Sequence, residues 1–133
     1  SVVKLKKKDE MVINKEELSE AIKKPQDFHI IDARPAKRFL GIEKEPRSGL
    51  KKGNIKSSVN IPFDSIHKKK NYLLPLYELK DLIKKKKITK SKEIICYCGS
   101  GVTACNLILV LNIIGFTRVK LYDGSWAEWG KIK

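Results

Sequence analysis

Apolar residues fall along this chain in alternating short runs and helical stripes, the rhythm of a layered α/β domain. Asn14 followed by Glu17 makes a capping pair, and Leu18, Ala21 and Ile22 carry an i, i+3, i+4 stripe into a helix that ends before Pro25. Residues 28–31 read as a buried strand, with His29 as a satisfied core residue inside it. The strand stops at Asp32-Ala33-Arg34-Pro35, where the proline turns the chain into a short helical piece through Phe39. Residues 41–58 are polar and punctuated by Pro46, Gly49 and Gly53, which predicts a long loop of the kind that usually carries function. A short strand follows at 59–62, and Leu76, Leu79, Leu82 and Ile83 then mark one face of a helix whose exposed side holds lysines. Residues 94–97 are too uniformly apolar to alternate, as expected of a parallel strand covered on both faces. A buried helix over 103–114 closes at Gly115, residues 119–122 form a last strand, and 124–129 a terminal helical turn. No repeat or flexible linker interrupts the series, and 133 residues suit one domain with one core.

Charge adds a question to this picture. The chain has 29 Lys plus Arg against 15 Asp plus Glu, a net charge of +14, which raises a polyanion as partner. Only Arg34, Arg38, Arg47 and Arg118 are arginines, and the lysine runs at 6–8, 68–70 and 84–87 have no aromatics at stacking intervals. Such runs read as solvated faces, and nucleic acid is the lesser expectation. The nearly uncharged stretch 94–116 is interrupted by Cys98-Gly99-Ser100-Gly101, Asn106 and Asn112, so it reads as strand, loop and helix rather than a membrane span. Cys96, Cys98 and Cys105 are odd in number and crowded together, which is no disulfide framework and fits a reducing compartment, cytoplasmic or mitochondrial.

The cysteines carry the chemistry. Cys98 follows a buried strand and opens a glycine-rich turn into a helix, where backbone N–H groups converge and the helix N-terminus adds partial positive charge. Both favour a thiolate over a thiol, so Cys98 is the expected nucleophile. Cys96 in the strand and Cys105 in the helix are expected in the core, with a resolving thiol as the lesser reading. A cysteine phosphatase would need an arginine about six residues after its nucleophile, and position 104 is alanine. Two isolated histidines, His29 and His67, do not complete a zinc site at finger spacing, and His67 is a poor partner base. A loop-stabilised thiolate that needs no base suits uptake and transfer of sulfane sulfur.

The motifs Ile31-Asp-Ala-Arg-Pro-Ala-Lys-Arg-Phe39, Glu45-Pro-Arg-Ser-Gly49, Val59-Asn-Ile-Pro-Phe63, Cys98-Gly-Ser-Gly-Val-Thr103 and Tyr122-Asp-Gly-Ser-Trp-Ala-Glu-Trp129 occur in this order. Through them the chain resembles the rhodanese superfamily, and within it the C-terminal catalytic domain of 3-mercaptopyruvate sulfurtransferases. The resemblance implies an α/β rhodanese-like fold with a central, mostly parallel sheet and helices on both faces. It implies that Cys98 takes sulfur from 3-mercaptopyruvate as a persulfide, releases pyruvate, and passes the sulfur to a thiol acceptor. Ser100 would orient or protonate the leaving group, Arg38 and Arg47 would hold the substrate's carboxylate and keto oxygens, and the backbone of Gly99, Gly101, Val102 and Thr103 would cradle the sulfur. Asp32 and Arg34 would brace the loop as an ion pair, Asp123 would cap the terminal helix, and Trp126 and Trp129 would pack beside the loop. No cofactor or metal is expected. The implied partners are a small-molecule sulfur donor and a thiol acceptor such as thioredoxin, a low-molecular-weight thiol or a sulfur carrier of tRNA thiolation. The family's usual histidine before Asn60-Ile61-Pro62-Phe63 is replaced within Gly53-Asn54-Ile55-Lys56-Ser57. Full-length members also have an inactive N-terminal rhodanese domain, so the 133 residues are expected to be the C-terminal half of a two-domain protein, with a single-domain member that has an open site as the other reading. Thiosulfate-type activity and a non-catalytic binding module that recruits an acidic partner or RNA are the alternatives.

Overall fold

The computed structural model describes residues 11–69 and 72–132; the lysines at 6–8 and Lys70 lie outside them. Five parallel strands form the centre: β1 (Val12–Ile13), β2 (Phe28–Asp32), β3 (Ser58–Asn60), β6 (Glu93–Tyr97) and β7 (Val119–Tyr122), in the order β1-β7-β6-β2-β3. A separate antiparallel pair joins β4 (His67–Lys69) to β5 (Tyr72–Leu73). The helices are α1 (Lys15–Ile22), α2 (Ala36–Phe39), α3 (Leu76–Lys85), α4 (Val102–Ile113) and α5 (Ser125–Trp129), with a 3-10 turn at Phe63–Ile66.

The side chains of the central strands alternate between two helical layers. Ile94 and Cys96 of β6 pack with Leu79 and Ile83 of α3 and Ala104, Leu107 and Leu111 of α4. Their neighbours Ile95 and Tyr97 face the other way, onto Leu18 and Ala21 of α1 and Trp126 of α5. A strand covered on both sides has no solvent face to alternate with, which is why residues 94–97 are continuously apolar. The fold is therefore the expected parallel sheet with helices on both faces.

Local signals place the elements. Asn14 accepts from the Glu17 N–H at 2.8 Å while the Glu17 carboxylate accepts from the Asn14 N–H at 3.1 Å, a complete capping box. Gly115 adopts φ +104°, the left-handed conformation that stops α4. His29 is half-buried and satisfied: its Nε2 accepts from the Thr89 N–H at 3.0 Å. Burial, and then the charge of Lys92, lower its pKa below the ordinary histidine value.

Two expectations are corrected. Cys105 lies exposed rather than in the core, because α4 is apolar around most of its circumference but only one side meets the sheet; Val102, Leu109 and Ile113 share its exposure. The strand expected at 59–62 spans Ser58–Asn60, and Pro62 leads into the 3-10 turn.

Candidate active site

Ligands of parallel sheets collect at the strands' carboxyl ends, and β6 delivers Cys98 there. Gly101 has φ +99°, a conformation that L side chains rarely adopt, and it turns the backbone so that its N–H donates to Cys98 Sγ at 3.0 Å. The N–H of Ala104, in the first turn of α4, donates to the same sulfur at 3.3 Å. Two backbone donors thus converge on one thiol sulfur, and such donors stabilise negative charge there without a base.

The loop is clasped from behind by α5. The N–H groups of Trp126 and Ala127 donate to the carbonyls of Cys98 and Gly99, each at 2.9 Å. Ser125, fully buried at φ +52°, accepts from the Cys98 N–H at 3.2 Å and donates to the Tyr122 carbonyl at 2.9 Å.

Cys98 borders a cavity of about 380 Å³ that is also lined by Arg34, Arg38, Phe63, Asp64, Ser100 and Thr103. Arg38 stands at its edge with a guanidinium that a side chain grown on Gly99 would meet at 4.0 Å. Beneath it, Arg34 is buried and donates to Asp32 at 2.7 Å, to Glu45 at 3.0 Å and to the Gly53 carbonyl at 2.6 Å. Its guanidinium also lies 4.5 Å from the Trp126 ring centroid. Burial alone would lower the pKa of Arg34, but its hydrogen bond to Asp32 and the fields of Asp32, Tyr97 and Glu45 outweigh that and raise it. Glu45 approaches Arg38 at 4.0 Å, so one buried carboxylate serves both arginines.

The structure thus brings Cys98, Gly99, Ser100, Thr103, Arg34 and Arg38 together around one cavity, with Gly101 shaping its loop and Asp32 bracing Arg34. It places other residues elsewhere. Arg47 is exposed and lines a separate concavity formed by residues 44–52. Val102 turns its side chain to solvent at 71% exposure, while its backbone opens α4 directly after Gly101. Asp123 does not cap α5: Gly124 holds the N-cap position, no side chain caps the helix, and Asp123 instead abuts Gly101. Trp126 packs under the loop, but Trp129 lies edge-on to Tyr122 and beneath Lys15. His67 is turned onto Phe63, whose carbonyl lies 3.0 Å from its Nδ1.

The model of the rhodanese-like domain matches residues 14–132. The chain belongs to the rhodanese-like family. Among curated relatives, the mouse (Mus musculus) 3-mercaptopyruvate sulfurtransferase is 45% identical over 77% of this chain and 34% of its own length. The chicken (Gallus gallus) thiosulfate sulfurtransferase is 37% identical over 77% of this chain and 35% of its own. The rhodanese-like chain thus spans about a third of the length of the curated relatives it matches. Among solved structures, the Tum1 protein of Saccharomyces cerevisiae superposes with a TM-score of 0.80 at 32% identity, over 92% of this chain and 44% of that one. The sulfur transferase subunit of yeast mitochondrial complex I gives 0.81 at 37% identity, over 90% of this chain and 42% of that one.

Glu45 and Ser125 are the residues of this rhodanese-like site that motif reading left without a role. Both stood inside quoted motifs; their signal was a charged residue beside Pro46 in a polar loop and a serine following Gly124, neither of which betrays burial.

Proposed function

We propose that this rhodanese-like domain is a sulfurtransferase in which Cys98 takes a sulfur atom from 3-mercaptopyruvate and passes it to a thiol acceptor. The observation that carries the reading is the convergence of the Gly101 and Ala104 N–H groups on Cys98 Sγ beside a cavity edged by Arg38. The Cys98 thiolate attacks the donor's sulfur, forming an S–S bond as the C–S bond breaks. The electron pair leaves on carbon as the enolate of pyruvate, which takes up a proton, and Cys98 is left as the persulfide. The N–H pair stabilises negative charge on the sulfur before the step and on the persulfide after it.

Arg38 offers the donor's carboxylate a charge-assisted contact, and Ser100, exposed beside Cys98, offers a hydroxyl to the leaving group. A thiol acceptor then attacks the outer sulfur and Cys98 leaves as the thiolate, which closes the cycle without a change of oxidation state in the protein. The relatives named for thiosulfate make that donor the second reading.

The test is pyruvate release from 3-mercaptopyruvate with a reducing thiol present, and sulfite release from thiosulfate in parallel. Cys98→Ser abolishes both, while Arg38→Ala raises KM for 3-mercaptopyruvate roughly tenfold to a hundredfold, the loss of one charge-assisted contact. Equal rates for wild type and Cys98→Ser overturn the proposal.

A further inference from the structure

Of the chain's basic residues only Arg34 and Arg38 line the Cys98 cavity, and the structure gathers others at the opposite end of the sheet. Lys92 and Arg118 stand just before β6 and β7, at the strands' amino ends, whereas Cys98 follows the carboxyl end of β6, roughly 20 Å from Lys92 at strand rise. Two concavities meet there. One, of about 260 Å³, is edged by Lys80, Lys84 and Lys90; the other, of about 50 Å³, by Lys90, Lys92 and Arg118. They share Lys90 and Phe116 as a common wall and lie side by side as a two-part groove, and no Asp or Glu lines either part.

The acids beside these cations are Asp81, which pairs with Lys85 at 3.0 Å, and Glu93, which approaches Arg118 at 3.8 Å and also faces Lys120. Lys80 and Lys84 make no ion pair among the described residues, so their charge is open to a ligand. The floor between the cations is apolar, made by Ile83, Ile88, Ile114 and Phe116.

We propose that this groove docks an acidic protein segment, an extended stretch in which carboxylates alternate with aliphatic side chains. Charge complementarity selects an anion, and the apolar floor selects a chain that carries aliphatic groups between its charges. A nucleic acid is the poorer fit. The one aromatic ring in the groove, Phe116, has the Lys90 ammonium 5.6 Å from its centroid, and the cations are four lysines and one arginine rather than guanidinium forks for bases. Docking here leaves the Cys98 cavity open, and the inference stands whether or not Cys98 transfers sulfur.

The test is fluorescence anisotropy of a labelled peptide of alternating Glu and Leu, with a Gln–Leu peptide and an oligo-dT of equal length as comparison probes. The Glu–Leu peptide binds the wild type, its affinity falls about tenfold in Lys84→Glu/Lys90→Glu, and the control reversal Lys68→Glu/Lys69→Glu changes it less than about twofold. Lys80→Gln/Lys84→Gln, confined to the exposed side of α3, gives a smaller loss in the same direction if the first variant folds poorly. The Gln–Leu peptide does not bind. Equal loss in the groove and control reversals, no binding of the Glu–Leu peptide, or tighter binding of oligo-dT through the same lysines would each overturn the proposal.

Discussion

Removing the Arg34 guanidinium should damage this protein more than any other single change to a polar side chain near the site. Arg34 is 1% exposed and lies between Asp32 and Glu45, which are 0% and 2% exposed, so Arg34→Leu strands two carboxylates away from water. Breaking a buried ion pair by deleting one partner costs about 3–5 kcal/mol, because the survivor keeps its desolvation penalty. The lost stacking on Trp126 and the freed Gly53 carbonyl place this variant at the upper end of that range. For a domain of this size the loss lowers Tm by roughly 10–20 °C. Arg34→Lys returns the charge but not the planar fork that reaches Asp32, Glu45 and Gly53 together, so about half of the loss remains. Urea unfolding followed by tryptophan fluorescence reads the change, since Trp126 is itself in contact with the network. Unfolding free energies for both variants within about 1 kcal/mol of the wild type would refute the claim that this ion network holds the loop.

Four further outcomes follow from the structure. Gly101→Ala places a Cβ 3.0 Å from the Asp123 carbonyl oxygen in a residue at φ +99°, and should lower sulfur-transfer rate at least about tenfold by turning the N–H away from Cys98. Gly99→Ala, which meets only the far end of Arg38 at 4.0 Å, should act mainly on KM, and identical kinetics for the two variants would contradict the loop's assigned role. His29 has its pKa lowered in the folded state by burial and by Lys92, so the unfolded chain binds the proton more readily and stability falls as pH drops below about 6.5. His29→Gln should flatten that part of the stability–pH curve measured by urea unfolding; an unchanged curve would dismiss the coupling. Burial, and then the neighbouring Cys98 and Cys105 sulfurs, push the Cys96 thiol up, so peptide mapping after iodoacetamide treatment should find Cys96 alkylated only once the chain is unfolded. Modification of Cys96 in the native protein would count against its place in the core.

The elements most legible in the sequence were those whose signals are local. Asn14 with Glu17, the proline at 35 and Gly115 each act within a turn of the backbone they control, and the structure has them where their chemistry puts them. The Cys98 loop belongs to this class, since glycine at 101 is a requirement of that one residue's φ. What depends on distant partners was hidden. β1 has only Val12 and Ile13, and its existence comes from pairing with Leu121 and Tyr122 of β7. Glu45 reads as a solvated loop residue until Arg34, 11 positions earlier, folds over it. The exposure of Cys105 was hidden because α4 is apolar nearly all round, so composition alone does not say which side the sheet covers. Asp123 looked like a cap because it precedes a short helix, but the positive φ of Ser125 and its bond to the Tyr122 carbonyl direct the turn instead.

The proposed role of Cys98 as the carrier of the transferred sulfur can be read from the mass of the Cys98 peptide. After brief exposure to 3-mercaptopyruvate with no acceptor present, that peptide should gain about 32 Da, one sulfur atom, and lose it when a reducing thiol is added. A Cys98 peptide of unchanged mass, or a gain confined to the exposed Cys105, would contradict the account.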